Sequence, residues 1–343
     1  MADVIRDPEA IKANITHLTY ARTDLDPVAI DPIALERQCP LDNGRHEGVD
    51  ISDLSLIPGL GTLDSLPPEL FRFVLDELDI QSLTDFRSVN RRARLEVDTL
   101  PPYHAVATHA PSLLRAVLSV QVAPKFSCQS LYDALCSPNC VYCGWFGTFV
   151  YLLLCSRVCS LCLVQPPINE PLEPIRAQDM YGLNSKALDA LTKLHTIPGS
   201  YSPMQQLEQK RLRLVDMGSA RESGIALHGS SSDMVEYARR KRESALPKPT
   251  TTTACRPCLR SCLTADANLY CYMTVIRTPW LDRHKGTLEW GYSCQACHRI
   301  VDPYRRVDLK DRGRMYCGED YLEHFARCKR AQEALASLSQ PDR

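Results

Sequence analysis

The chain has 343 residues, of which 44% are hydrophobic and 24% charged, a composition typical of a folded protein with room for two or three units. Its net charge of −1 argues against a molecule drawn as a whole to nucleic acid or to acidic membranes. The polar, acidic N-terminus predicts no secretory signal, and the apolar run from Trp145 to Cys155 is shorter than the ~20 residues that span a bilayer. We therefore expect a cytoplasmic and/or nuclear protein.

Residues 1–60 contain short apolar patches, several prolines and no sustained period, which predicts an irregular or disordered segment with a short helix or two. Residues 61–103 predict three short helices. The first follows Pro67 and Pro68, which suit a first helical turn, and the third begins after Asn90, a favourable N-cap. The first helix has one apolar stripe, formed by Leu70, Phe71, Val74, Leu75 and Leu78. This stripe has more apolar surface than packing against one small neighbouring element would cover. Phe73 lies beside the stripe.

The rest of the chain predicts three more segments. Residues 104–165 contain helices and a first cysteine cluster. Residues 166–254 are mixed and end in a Pro- and Thr-rich linker, whereas residues 255–338 contain more cysteines and a C-terminal helix. The predicted fold class is therefore α+β, mostly helical, with a three-helix N-terminal unit and a mixed region stabilised by structural zinc.

The sixteen cysteines are the strongest compositional signal. In a reducing compartment, Cys-x-x-Cys pairs favour metal binding over disulfides. Cys140, Cys143, Cys159 and Cys162 form a C-x2-C-x15-C-x2-C pattern that predicts a four-thiolate zinc site. Cys155 is an alternative to Cys159, and the apolar run between the pairs predicts a strand.

A second zinc site is predicted near the C-terminus. Its proposed ligands are Cys294 and Cys297 from one Cys-x-x-Cys pair, with His324 and Cys328 one helical turn apart. Cys317 competes as a ligand, and His324 is alternatively a surface histidine. We expect about two zinc ions per chain.

Another pair, Cys255 and Cys258, lies near Cys262 and Cys271. These cysteines form a third site or share an ion with Cys294 and Cys297, and the sequence does not decide between the two. A pair that binds no metal is a reactive dithiol, which motivates a redox or hydrolase alternative.

Catalytic zinc is not favoured, because the sequence contains no HExxH helix and no H-x-E deaminase pattern. Nucleic-acid binding by a nuclear zinc or scaffold protein is the alternative function. Residues 255–330 contain 14 Lys and Arg against 9 Asp and Glu, but the interleaved acids weaken a phosphate-binding surface. The run Arg239–Arg242 is either a nuclear-import patch or a solvated helix end, and we favour the latter.

The segment from Leu66 to Val97 resembles an F-box. The pattern is carried by Leu66-Pro67, Glu69-Leu70, Val74-Leu75, Leu78, Leu83, Phe86-Arg87, Val89-Asn90-Arg91 and Val97. One departure is Ala93, where many F-boxes have tryptophan. The downstream cysteine motifs also resemble those of fungal F-box proteins with a cysteine-rich region.

This resemblance implies a non-catalytic subunit of an SCF-type (cullin–RING) ubiquitin ligase. An F-box binds a Skp-family adaptor, and the rest of the chain recruits an unknown protein substrate. The positions that match the family's hydrophobic residues, and that we expect at the adaptor interface where internal packing does not need them, are Leu66, Pro67, Leu70, Val74, Leu78, Leu83 and Val89. We expect no membrane partner.

Overall fold

The computed structural model describes residues 13–39, 59–164, 170–245, 266–298 and 313–338. Within these ranges, short helices surround small antiparallel sheets, which confirms the prediction of an α+β protein. No helix in the described part of the chain is both long and apolar enough to cross a membrane.

The N-terminal segment is ordered and packed from residue 13 to residue 39. It forms α1 (Ile15–Leu18), β1 (Thr19–Tyr20) and α2 (Pro32–Gln38). Strand β1 pairs with Ser293–Cys294, and the following side chains are buried: Leu18, Leu25, Val28, Ile30 and Leu35. The sequence predicts a short helix or two in this segment, and α1 and α2 are such helices; the short apolar patches around them are buried against distant parts of the chain, so tertiary contacts decide the conformation.

Three helices follow, as predicted. They are α3 (Pro68–Glu77), α4 (Ile80–Arg87) and α5 (Arg91–Asp98). Pro68 occupies the first turn of α3, where its missing N–H has no intrahelical partner to lose. The Asp79 carboxylate accepts the Ser82 N–H at the start of α4, and the Asn90 side chain accepts the Ala93 N–H at the start of α5.

The apolar stripe of α3 is divided between the core and the surface. Phe71 and Leu75 are buried, and the Phe71 ring packs edge-on against Phe86 with centroids 6.0 Å apart. By contrast, Leu70 and Val74 are 53% and 50% exposed. The helix is therefore fixed to its own chain by one half of the stripe and presents the other half to solvent.

Residues 101–164 supply three more helices, a hairpin and a last short helix. These are α6 (Pro101–His109), α7 (Pro111–Ser119), α8 (Cys128–Cys136), β2 (Phe149–Tyr151), β3 (Ser156–Val158) and α9 (Ser160–Val164). All three residues of β2 are fully buried, which confirms the strand predicted between the two cysteine pairs.

Residues 170–245 form a smaller body with its own apolar cluster. Its elements are β4 (Pro171–Leu172), α10 (Pro174–Tyr181), α11 (Ser185–Ala190), β5 (Leu194–His195), β6 (Gly199–Tyr201), β7 (Gln206–Glu208), β8 (Arg213–Asp216), α12 (Met217–His228) and α13 (Ser231–Ala245). Strand β8 lies between β4 and β5, and Leu172, Tyr181 and Met234 contribute to the cluster.

The C-terminal part contains α14 (Asp266–Met273), β9 (Val275–Arg277), β10 (Trp280–Asp282), β11 (Thr287–Glu289), β12 (Ser293–Cys294), α15 (Gln295–His298), α16 (Gly318–Arg327) and α17 (Lys329–Leu338). The single C-terminal helix that the sequence predicts is two helices, because Cys328 leaves helical geometry with ψ of 89°. The predicted linker Leu246–Ala254 lies outside the described residues.

The central sheet connects segments that are far apart in the sequence. Strand β2 pairs antiparallel with β3 on one side and with β9 on the other, so that Phe149 faces both Val158 and Arg277. One apolar core extends from Leu25 to Cys317 across these elements. The predicted segments 104–165 and 255–338 therefore share a sheet and a core.

Arg157 on β3 is the largest fully buried side chain. Its guanidinium donates hydrogen bonds to the carbonyls of Ala134, Leu135, Gly147, Thr278 and Pro279. Burial lowers the pKa of Arg157 to about 9, which still leaves the group charged at neutral pH. One guanidinium thus supplies hydrogen-bond donors to backbone carbonyls at the end of α8, before β2 and between β9 and β10.

We predict that Arg157→Lys destabilises the protein by about 3 kcal/mol or more, because lysine cannot reach several carbonyls at once and buried acceptors lose their partners. The free energy of unfolding from urea titration measures the effect. Arg283→Lys is the matched control, since the Arg283–Asp133 pair is half-exposed and its loss should cost less than about 1 kcal/mol. Equal losses in the two variants would contradict this role of Arg157.

Candidate metal centres

The first cysteine cluster is assembled by the turn after α8 and by the start of α9. Gly144 has a φ of +74°, a conformation that glycine adopts readily, and its N–H bonds to the Cys140 carbonyl at 2.9 Å. At the other end, the Cys162 N–H donates to the Cys159 sulfur at 3.3 Å. The β2–β3 hairpin between the two pairs brings them together, as the C-x2-C-x15-C-x2-C spacing predicts.

The geometry of this cluster fits a tetrahedral metal ion. The four sulfurs of Cys140, Cys143, Cys159 and Cys162 lie within 4.8 Å of one another, and the Cys143 and Cys159 sulfurs are 3.6 Å apart. Sulfurs that bind a tetrahedral zinc at ~2.3 Å lie ~3.8 Å from one another. Three of the cysteines are buried and Cys143 is exposed.

The ionisation of the thiols also favours a cation. A hydrogen bond from Cys159 and backbone N–H groups lower the pKa of Cys140 to about 4, whereas burial and the neighbouring sulfurs raise the pKa of Cys162 to about 12. Without a cation the cluster can hold little negative charge, because thiolates this close repel one another. A divalent metal removes this conflict and allows all four to bind as thiolates.

The second cluster joins two helices and a strand. Cys294 ends β12, Cys297 lies in α15, His324 lies in α16, and Cys328 follows α16 directly. The Cys297 sulfur is 3.5 Å from His324 Nε2 and 3.7 Å from the Cys328 sulfur. Zinc bonds of ~2.3 Å to sulfur and ~2.0–2.1 Å to nitrogen predict separations of ~3.6 and ~3.8 Å, respectively.

Packing orients the histidine of this cluster. The His324 ring stacks on Tyr316 with centroids 4.5 Å apart and an interplanar angle of 28°. The neighbouring thiolates raise the pKa of His324 to about 9 against the opposing effect of burial, so a metal ion must displace a proton to bind here. Tyr321, Phe325 and Leu18 form the apolar surroundings.

Among the described residues, the cysteines that the sequence offers as alternative ligands lie outside the two clusters. The Cys155 thiol donates to the Ser130 carbonyl at 3.5 Å, so Cys155 is not part of the first cluster. The Cys317 sulfur accepts the Asp320 N–H at 3.4 Å as the N-cap of α16, which removes it from the second cluster. Cys255, Cys258 and Cys262 lie outside the described residues, and burial raises the pKa of Cys271 to about 12.

The predicted adaptor-binding positions divide into surface and core. The exposed ones are Leu66, Pro67, Leu70, Val74 and Val89. Leu78 is half-buried, and Leu83 is fully buried in the core, where it cannot contact a partner, because α4 packs that side chain inward. Phe73, whose neighbour the sequence left unassigned, is 67% exposed and lies on the same side of α3 as Leu70.

The basic run Arg239–Arg242 lies on α13 and is largely balanced by acids on the same helix. Arg239 pairs with Glu236 and Glu243, and Arg240 pairs with Glu236. Such i,i+3 and i,i+4 pairs are typical of a solvated helix.

Sequence reasoning did not find Arg157 or the Tyr316 stack. The signal for Arg157 was a single charged residue inside an otherwise apolar and cysteine-rich run. Comparison with known proteins adds no assignment: no family model matches the chain, and neither a curated protein nor a solved structure matches it.

We predict that Cys159→Ser lowers the metal content of the purified protein by one ion per chain and lowers its melting temperature, because one ligand of the first cluster is lost. Elemental mass spectrometry measures the content. Cys155→Ser is the matched control and should keep all of its metal.

The same comparison applies to the second cluster. Cys328→Ser should lose one ion per chain, and Cys317→Ser should lose none, since Cys317 caps a helix instead of contributing to the cluster. Unchanged metal content in Cys159→Ser and Cys328→Ser would show that neither cluster binds metal.

Proposed function

We propose that this protein is the substrate-recruiting F-box subunit of an SCF-type ubiquitin ligase. The observation that carries the proposal is the exposed apolar face of α3, formed by Leu70, Phe73 and Val74, which are 53%, 67% and 50% exposed. This face belongs to the segment whose residue pattern resembles an F-box. A Skp-family adaptor within a cullin complex is the proposed partner.

The way α3 is held supports this role. Phe71 and Leu75 bury the opposite half of its apolar stripe, so the exposed half is presented on a helix that is already in place. A contiguous apolar face on a helix is a common binding element, because it buries its anchors in a partner's groove at low entropic cost. Leu66, before α3, and Val89, between α4 and α5, are also exposed apolar residues of this segment.

We propose zinc as the metal of both clusters. Cysteine sulfur and histidine nitrogen are ligands that zinc prefers, and each cluster supplies four of them from the protein. Four protein ligands leave no open position for a substrate or water, so these are structural centres and the protein is a non-catalytic subunit. Zinc binding then contributes directly to the free energy of folding.

The remainder of the chain, downstream of α5, is the proposed substrate-recruiting region. We place the protein in the cytoplasm and/or the nucleus, where the ubiquitin system acts. The alternative, a nuclear zinc protein that binds nucleic acid, gains no support from α13, because acids on the same helix pair with its basic residues.

The test is co-purification of the full-length chain with a Skp-family adaptor. We predict that Leu70→Asp combined with Val74→Asp weakens binding at least about tenfold, since buried interface anchors each contribute more than ~1 kcal/mol. The melting temperature should stay near that of the wild type, because both side chains are exposed. Titration calorimetry gives the affinity.

A matched control places the same charges elsewhere. Ile175 and Leu207 are 71% and 65% exposed and lie in the body formed by residues 170–245. Ile175→Asp combined with Leu207→Asp should bind the adaptor as the wild type does. Failure of the wild-type protein to bind any Skp-family adaptor would refute the proposal.

A further inference from the structure

A cavity of about 200 Å³ lies directly beside the first metal centre. It is lined by three ligands of that centre, Cys143, Cys159 and Cys162, and its walls include Trp145, Phe146 and Leu161. A small molecule in this space therefore lies next to three of the four cysteines of that centre.

The ligands of the two centres differ in their access to solvent. Cys143 is exposed, whereas Cys294 is buried and Cys297 and Cys328 are half-buried. A metal ligand is held as a thiolate, and the thiolate is the nucleophilic form of cysteine. Exposure and the adjoining cavity thus make Cys143 the most accessible nucleophile among the eight ligands.

The surroundings of the cavity suit a small oxidant. Its apolar walls admit a compact neutral molecule more readily than a charged one. The Arg314 guanidinium, which also lines the cavity, lies over the Trp145 ring at 4.0 Å from its centroid.

We propose that Cys143 is an oxidation site for hydrogen peroxide and that its oxidation forms a disulfide with Cys159. The two sulfurs are 3.6 Å apart, so an approach of ~1.6 Å brings them to the ~2.05 Å of a disulfide bond. Loss of two thiolate ligands releases the metal of the first centre.

The reaction has two steps. The Cys143 thiolate attacks one oxygen of the peroxide, the O–O bond breaks, and hydroxide leaves, so that Cys143 becomes a sulfenic acid. The Cys159 thiolate then attacks the Cys143 sulfur, the S–O bond breaks, and a second hydroxide leaves. The two thiolates give up two electrons, and the peroxide with two protons becomes two molecules of water.

This inference rests on metal binding by the first cluster and not on the F-box proposal. Adaptor binding by α3 can fail while the oxidation is observed, and the reverse is also possible. The two proposals are therefore tested separately.

The experiment treats the metal-loaded full-length protein with hydrogen peroxide and maps each cysteine by differential alkylation and mass spectrometry. We expect Cys143 and Cys159 to become linked at least about tenfold faster than Cys297 or Cys328 is oxidised, because access limits the reaction. A chelating dye should register metal release together with the disulfide, and a thiol reductant with added zinc should restore the original state.

Three outcomes would overturn the proposal. One is oxidation of Cys297 and Cys328 before Cys143, and another is oxidation of both centres at one rate, which indicates unfolding of the whole chain. Formation of a Cys143 disulfide with a different cysteine would also refute the stated pairing.

Variants of the cavity wall test the route of entry. Leu161→Trp narrows the cavity and should slow the oxidation of Cys143, whereas Leu154→Trp adds the same side chain at an exposed site outside the lining residues and should leave it unchanged. Should Leu161→Trp lose metal before treatment, Leu161→Ala replaces it and should accelerate the reaction. An unchanged rate in the folded Leu161 variant would contradict entry through this cavity.

Discussion

The buried guanidinium of Arg157 holds together the part of the fold on which both the central sheet and the first metal centre depend. Its five carbonyl partners come from the end of α8, the approach to β2 and the connection between β9 and β10. These carbonyls lie at the ends of helices and strands or in the connections between them. They therefore need a hydrogen-bond donor from a side chain. Arg157 also precedes the ligand Cys159 by two residues, so the same contacts fix the second half of the first cluster.

The described part of the chain combines one extended apolar core with a second, small apolar cluster beside the second candidate metal centre. The sheets have two or three strands each, and several strands contain only two residues, so pairing alone contributes little. The second cluster connects β12, α15 and α16 around a core of few side chains, including Tyr316 and Phe325. A metal at this cluster would connect these elements into one unit, because its binding free energy is gained only in the folded state.

Local signals in the sequence predicted the helices with clear caps and the cysteine clusters. Asn90 starts a helix as expected, and the eight chosen ligands come together in two groups, because Cys-x-x-Cys spacing and i,i+4 spacing are local geometry. Long-range contacts were not predictable in this way. The packing of Leu18 and Leu35 and the pairing of β2 with β9 depend on partners far away in the chain.

Helix α3 shows that an apolar stripe in the sequence does not reveal which of its residues are buried and which are exposed. Five positions share one stripe in the sequence, yet Phe71 and Leu75 are buried while Leu70 and Val74 are exposed. Phe71 packs edge-on against Phe86 of α4, and Leu75 joins the same apolar core. Because this side of the helix is packed, α3 cannot rotate about its axis. Leu70, Phe73 and Val74 therefore remain exposed to solvent. The buried half and the exposed half of the apolar stripe therefore follow from the same packing contact.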